Sequence, residues 1–149
     1  MRDLDRLGGL HSAVWAELYA GLLTPKVLGS LDPKTMTALW QKFVTRGAGY
    51  DQYVAEVDGD IIGFVGAGPG RDPGYELGRE LYFIYVAPQN RRNAVGKALL
   101  KKVDCDYLWI AESAVATQAF YRKQKYFPDS VRREGSLFGT PLKEIRMAR

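Results

Sequence analysis

The stretch Arg91-Arg92-Asn93-Ala94-Val95-Gly96-Lys97 carries the residue types of an anion cradle. It joins an apolar run, residues 81–86, to a segment in which Val95, Ala98, Leu99 and Val103 recur at helical spacing. Pro88 has no backbone N–H to give a sheet, so the strand should stop near it. The first N–H groups of a helix have no partner inside it, and together with the helix dipole they favour an anion. Small side chains at Ala94 and Gly96 let a ligand come close to the backbone. From Arg91 to Lys102 there are five cationic side chains and no acidic one. This spacing suits the binding of a phosphate or pyrophosphate.

Two common nucleotide motifs are excluded. A P-loop needs Ser or Thr after its lysine, and Lys97 is followed by Ala98. The three-glycine dinucleotide fingerprint is absent. Two other reactive side chains carry less. His11 is the only histidine and could serve as a base near neutral pH, but a lone helical histidine is more often packed or solvated. Cys105 is the only cysteine, so no internal disulfide can form. Asp104 and Asp106 flank it and disfavour the thiolate a nucleophile would need.

The elements that must position the cradle follow from periodicity. Leu4, Leu7, Leu10, Val14 and Leu18 form one stripe, predicting a helix over residues 4–20 that stops at Gly21 to Pro25. Asp32-Pro33 starts a second helix, with Met36, Leu39, Trp40 and Phe43 on its inner face. Tyr53, Ala55 and Val57 alternate as a strand, Asp58-Gly59 is a hairpin turn, and residues 61–67 return. A glycine- and proline-rich connection, expected to be mobile, reaches Arg79. A strand over 80–86, a helix over 93–103, a strand over 107–112 and a helix over 116–125 come next. Two late strands, 126–133 and 142–147, are expected to be broken apart by Glu134-Gly135-Ser136 and Gly139-Thr140-Pro141. The whole predicts an α/β (α+β) chain, one mixed sheet flanked by about four helices.

At 149 residues the chain is expected to form a single domain over 1–149. No apolar run is long enough for a membrane span, and the start lacks the order of a signal peptide, so a cytoplasmic protein is expected. The net charge of +4 gathers at residues 91–102 and 122–133. Such a surface can attract nucleic acid, but no nucleic-acid-binding module is present, and a polyanionic cofactor explains the charge more economically.

Arg91-x-x-Ala94-x-Gly96 after Val86-Ala87-Pro88 resembles the acyl-CoA-binding motif of the GCN5-related N-acetyltransferases, the GNAT family. Residues 108–113, followed by Phe120-Tyr121 and Tyr126, resemble the later motif of the same family. The first helices and the hairpin match in order as well. Ala94 stands where the family usually has glycine, Lys125 replaces the glycine of a Gly-Phe step, and Ala114 replaces an asparagine. The helix over 93–103 is about one or two turns short of the family's usual length.

The resemblance implies a mixed, mostly antiparallel sheet of the GNAT fold in which the strands around Ile84 and Ile110 run parallel and splay. It implies an acetyl-CoA-dependent N-acetyltransferase with no metal, acting on a primary amine of a small molecule or on an exposed amino group of a peptide. Arg91, Arg92, Asn93, Ala94, Val95, Gly96 and Lys97 would hold the pyrophosphate, and the backbone of Ile84, Tyr85 and Val86 the pantetheine arm. Tyr121 would protonate the leaving thiolate, as its family counterpart does. Glu80 is the candidate for the base that takes the amine's proton, and Glu112 the reserve, as base or as substrate anchor. Glu80 could instead pair with Arg79 or Arg71, and Glu112 could cap the next helix. A homodimer is admitted. Two alternatives remain: an acyl-CoA-binding sensor of the same fold, favoured by Ala94 and Lys125, and a basic nucleic-acid-associated protein.

Overall fold

The computed structural model describes residues 2–76 and 78–149. In chain order they form α1 (Arg2–Leu18), α2 (Pro25–Ser30), α3 (Pro33–Val44), β1 (Asp51–Val57), β2 (Asp60–Pro69) and β3 (Arg79–Val86). After a 3-10 turn at Pro88–Asn90 come α4 (Val95–Val103), β4 (Tyr107–Ala111), α5 (Val115–Lys123), β5 (Phe127–Leu137) and β6 (Thr140–Ala148). The six strands form one sheet in the order β1-β2-β3-β4-β6-β5. Neighbours are antiparallel except β3 and β4, which are parallel and joined through α4. A parallel pair needs such a crossover.

Sequence alternation sorts the core onto two faces. Val65, Leu81, Ile84 and Val86 turn towards Leu99, Leu100 and Val103 of α4 and Tyr121 of α5. Their neighbours Phe64, Phe83 and Tyr85 turn the other way, towards Leu7 of α1 and Trp40 of α3. A third cluster gathers Leu23, Leu31 and Met36, with Leu137 from the β5–β6 hairpin packed on it.

Three elements differ from the sequence expectation. Thr24-Pro25 does not merely end α1; it starts α2, giving five α-helices among the described residues. Thr24 Oγ1 accepts the Val27 N–H at 3.3 Å, just as Asp32 Oδ1 accepts the Thr35 N–H at 2.8 Å at the start of α3. The two Xaa-Pro pairs are the same signal. Glu134-Gly135-Ser136 does not break the chain: β5 continues to Leu137, and the reversal falls at Phe138-Gly139, where both φ angles are positive (48° and 82°). Helix α4 begins at Val95 rather than Asn93 because Ala94 turns left-handed, at φ 59° and ψ 6°.

His11 of α1 lies inside the second cluster, 2% exposed, with its ring 5.0 Å from that of Phe64 and 5.1 Å from that of Trp15. Neither ring nitrogen has a hydrogen-bond partner among the described residues. Burial therefore favours the neutral ring and pulls the pKa from 6.5 down to about 4. Between those values the unfolded chain takes up a proton that the folded chain refuses, so stability falls as the pH is lowered through this window. Wild-type protein is expected to lose about 3 kcal/mol of stability from this one group between pH 6.5 and pH 4. His11→Leu removes that part of the slope in urea titrations run across the window, and equal slopes in the two proteins would contradict it.

Candidate active site

The cradle is built by backbone geometry. Strand β3 ends as the Ala87 N–H donates to the Ile62 carbonyl at 2.8 Å, and the 3-10 turn carries the chain outward. Arg92 and Ala94 both hold positive φ, 66° and 59°. That pair of turns redirects the chain into α4, whose first N–H groups have no partner inside the helix. No side chain caps this helix start, and its first turn holds no acidic residue. The Ala94 carbonyl accepts the Ala98 N–H at 2.9 Å, so the helix ladder is in register from its first residue. A Cβ on Gly96 would stand 3.4 Å from the Phe120 ring and 3.7 Å from Val86, so α4 lies close against both. Arg92, Asn93 and Lys97 are exposed at the rim.

Arg91 has a different position. Its guanidinium makes two bonds to the Glu17 carboxylate, 2.9 and 3.0 Å, and its Nε donates to the Val86 carbonyl at 3.0 Å. It braces α1 against the end of β3.

The gap between β3 and β4 opens beside this helix start. The two strands pair only at Glu80 with Tyr107 and Leu81 with Leu108. On the other side of β3, Gly66 pairs with Phe83 and Ala67 with Leu81, so Tyr82 is an extra residue, a β-bulge. The bulge falls at the level where the pairing of β3 with β4 ends. Beyond it, residues 82–86 of β3 and 109–111 of β4 have no strand partner on their facing edges. Ile84, Tyr85 and Val86 therefore lie along an opening where the unpaired edge of β3 can meet an extended ligand, although the Val86 carbonyl is already held by Arg91.

Tyr121 sits on α5 in the cluster that contains Leu81, Leu108 and Ile110, which border this slot. It is 5% exposed, with Phe120 and Tyr126 edge-on at 5.1 and 6.1 Å. Burial, then the nearby Tyr126 phenol, push its hydroxyl above the ordinary tyrosine range, so it keeps its proton at neutral pH. Helix α5 ends in a Schellman turn: the Tyr126 N–H donates to the Tyr121 carbonyl and the Lys125 N–H to the Arg122 carbonyl, both at 3.1 Å. Lys125 is the left-handed residue of that turn, with φ 71°.

Glu80 is 1% exposed, on the opposite face of the sheet. Arg71 pairs with it through Nε at 2.9 Å and Nη2 at 2.5 Å, and the Tyr107 hydroxyl donates to it at 3.0 Å. That hydroxyl in turn accepts the N–H groups of Arg71 (2.8 Å) and Asp72 (3.1 Å). Asp72 accepts the Trp109 indole N–H at 3.0 Å and pairs with Arg146 at 3.0 Å. The described part of the glycine-rich connection is thus tied to β3, β4 and β6 rather than loose, contrary to expectation. Of this network the sequence suggests only Arg71, as one of two possible partners of Glu80; Asp72, Tyr107, Trp109 and Arg146 escape it. The one available signal was a charged pair, Arg71-Asp72, inside a glycine and proline loop.

Glu112 lies elsewhere. It follows the far end of β4, ~16 Å along the strand from the level of Glu80. Its carboxylate accepts from Arg132 Nε at 3.1 Å beside Arg122 and Ser130, and it does not cap α5, whose N-terminus has no side-chain cap. The structure does not bring Glu80 and Glu112 together as a carboxylate pair. Cys105 is fully buried with its thiol pushed up to about 12, which keeps it a protonated thiol at neutral pH and argues against a nucleophilic role.

The chain that builds this site has relatives among known proteins. Residues 48–126 match the family model described as the acetyltransferase (GNAT) domain. The chain belongs to this family. The uncharacterized N-acetyltransferase YuaI of Bacillus subtilis (strain 168) is 26% identical over 156 residues, covering 97% of this chain and 86% of that protein. Among solved structures, the PaiA N-acetyltransferase of Thermoplasma acidophilum in complex with coenzyme A superimposes with a TM-score of 0.73 at 18% identity, over 99% of this chain and 94% of that one. The ribosomal-protein-alanine N-acetyltransferase of Brucella melitensis gives 0.71 at 22% identity, again over 99% and 94%. These likenesses show the fold.

Ala94 and Lys125 both adopt the left-handed conformation for which glycine is suited. Ala94→Gly and Lys125→Gly are each expected to raise unfolding free energy by about 1 kcal/mol. Denaturant midpoints of the two variants and of the pair check this. Unchanged or lowered midpoints would mean that these turns relax in solution.

Proposed function

We propose that this protein transfers the acetyl group of acetyl-CoA to a primary amine, borne by a small molecule or by an exposed amino group of a peptide. The observation that carries the reading is the parting of β3 from β4 at Tyr82 directly beside an uncapped, acid-free helix start. A slot with free main-chain edges suits the amide-rich pantetheine arm, and helix N–H groups suit a pyrophosphate. Val95, Gly96 and Lys97 would present backbone amides, with Arg92, Asn93 and the Lys97 side chain around the rim. Arg91, held by Glu17, would fix the loop rather than touch phosphate.

Most of the rate gain in such a reaction comes from bringing two reactants together. The amine nitrogen attacks the thioester carbonyl carbon, the C–S bond breaks and the coenzyme A thiolate leaves. The Tyr121 phenol, protonated at neutral pH, would give its proton to that thiolate. The amine must lose a proton, and Glu80 would take it, directly or through water. A backbone N–H of the bulged strand would polarise the carbonyl. Ala94 and Lys125 reach the left-handed turns without glycine, which supports a working cradle over a vestigial one.

The test is release of free thiol from acetyl-CoA across a panel of primary amines and peptides. Tyr121→Phe removes one oxygen and is expected to leave acetyl-CoA affinity nearly unchanged while the rate falls by ~10² to 10⁴. The lower end is favoured because a CoA thiolate already leaves readily. An unchanged rate would make Tyr121 a packing residue. Tight acetyl-CoA binding with no turnover on any amine would identify a sensor instead.

A further inference from the structure

Glu80 is the one buried carboxylate among the described residues. A carboxylate taken out of water needs a cation and hydrogen bonds to offset its desolvation. Its two partners are unlike. The Tyr107 hydroxyl belongs to β4 and is pinned by two backbone N–H groups, so it is framework. The Arg71 guanidinium reaches in from solvent: its side chain is 62% exposed, while that of Glu80 is 2% exposed. Its guanidinium carbon lies 4.4 Å from the centre of the Tyr82 ring. That ring belongs to the bulge residue at which the slot opens.

We propose that Glu80 and the face of Tyr82 form the cation subsite for the acceptor, and that Arg71 fills it as an internal stand-in until the substrate's ammonium group displaces it. This rests on the transferase reading and adds to it the charge and shape of the acceptor.

The chemistry favours an exchange of this kind. A primary amine arrives protonated at neutral pH, and Glu80 accepts its proton more readily once another cation no longer holds the carboxylate. In the resting arrangement Arg71 and Tyr107 engage both carboxylate oxygens. Exchanging one cation for another keeps the buried charge neutralised throughout, whereas loss of Arg71 alone would strand it. A carboxylate with an aromatic face beside it binds ammonium and guanidinium groups alike. Moving Arg71 into water costs little, because most of its side chain is already there, and its N–H to Tyr107 is a backbone bond that stays. The acceptor is therefore a cationic amine on an aliphatic stem. An amino group with a carboxylate next to it would meet Glu80 with repulsion.

The experiment uses Arg71→Met, which keeps an apolar stem over Tyr82 and removes the charge. Methylguanidinium serves as the probe, with thermal unfolding and acceptor kinetics as readouts. The variant is expected to unfold at a lower temperature than wild type, and methylguanidinium to recover most of that loss saturably, beyond any effect of sodium chloride at equal ionic strength. Arg71→Met/Glu80→Gln is expected not to respond. The acceptor KM is expected to fall roughly tenfold in Arg71→Met, the factor expected for a site ~90% occupied by its own side chain. No saturable recovery, or the same recovery in the double variant, would overturn the proposal and leave Arg71 as a brace.

Should Arg71→Met fail to fold, Arg71→Lys replaces it. Its single-point ammonium is expected to lower the acceptor KM to a smaller extent, and methylguanidinium to compete with the amine. An unchanged KM without competition would overturn the proposal. A methylguanidinium response without thiol release from acetyl-CoA would remove the transferase reading and leave the cation subsite standing. Thiol release without the response would do the reverse.

Discussion

Two residues of parallel pairing, Glu80 with Tyr107 and Leu81 with Leu108, hold β3 to β4 before the strands part. The rest of the site depends on that short contact. A longer pairing would satisfy the facing main-chain groups and close the slot. No pairing would let the two halves of the sheet drift apart. The bulge at Tyr82 falls where that pairing ends, one extra residue on β3 breaking its register with β2. The core on the α4–α5 face spans the opening from Leu81 and Leu108 to Tyr121, so the divergence is supported from below by packed side chains.

The two ends of the slot carry opposite electrostatic demands. At the mouth, an uncapped helix start and exposed Arg92 and Lys97 favour negative charge. On the opposite face of the sheet, at the closed end, a buried carboxylate requires positive charge. An anionic donor and a cationic acceptor would then approach the same strand with little competition for each other's place. The brace from Glu17 to Arg91 links α1 to the mouth, and the network from Glu80 through Tyr107 to Asp72 and Arg146 links β3, β4 and β6 at the closed end. Each end of β3 is tied to elements far away in the chain.

Backbone strain at the cradle follows from residue choice. Arg92, Ala94 and Lys125 hold positive φ with a Cβ attached, a conformation that costs each of them on the order of 1 kcal/mol. The Schellman bonds at Lys125 and the helix ladder from Ala94 offset that cost locally. Departure from glycine at these positions alters stability more directly than it alters shape. For that reason the motif was recognisable in the sequence despite the substitutions.

Local signals in the sequence determined much of this protein. Alternation in β1, the apolar runs of β2 and β3, the stripe on α1, the Asp32-Pro33 start and the Asp58-Gly59 turn all act within a few residues, and each appears in the fold as expected. The small-residue turn after Val86-Ala87-Pro88 marked the cradle for the same reason. Thr24-Pro25 is an equally local signal, an N-cap and first-turn proline that start α2 where the stripe of α1 ends. Pairing across the chain was not legible. That Glu80 takes Arg71 and not Arg79, that Arg91 meets Glu17, and that Glu112 stands with Arg132 were decided only by the tertiary structure. An ion pair between distant residues has no period or spacing. It exists because folding brings two charges to the same place, and a buried carboxylate such as Glu80 takes whichever cation the packed chain delivers to it.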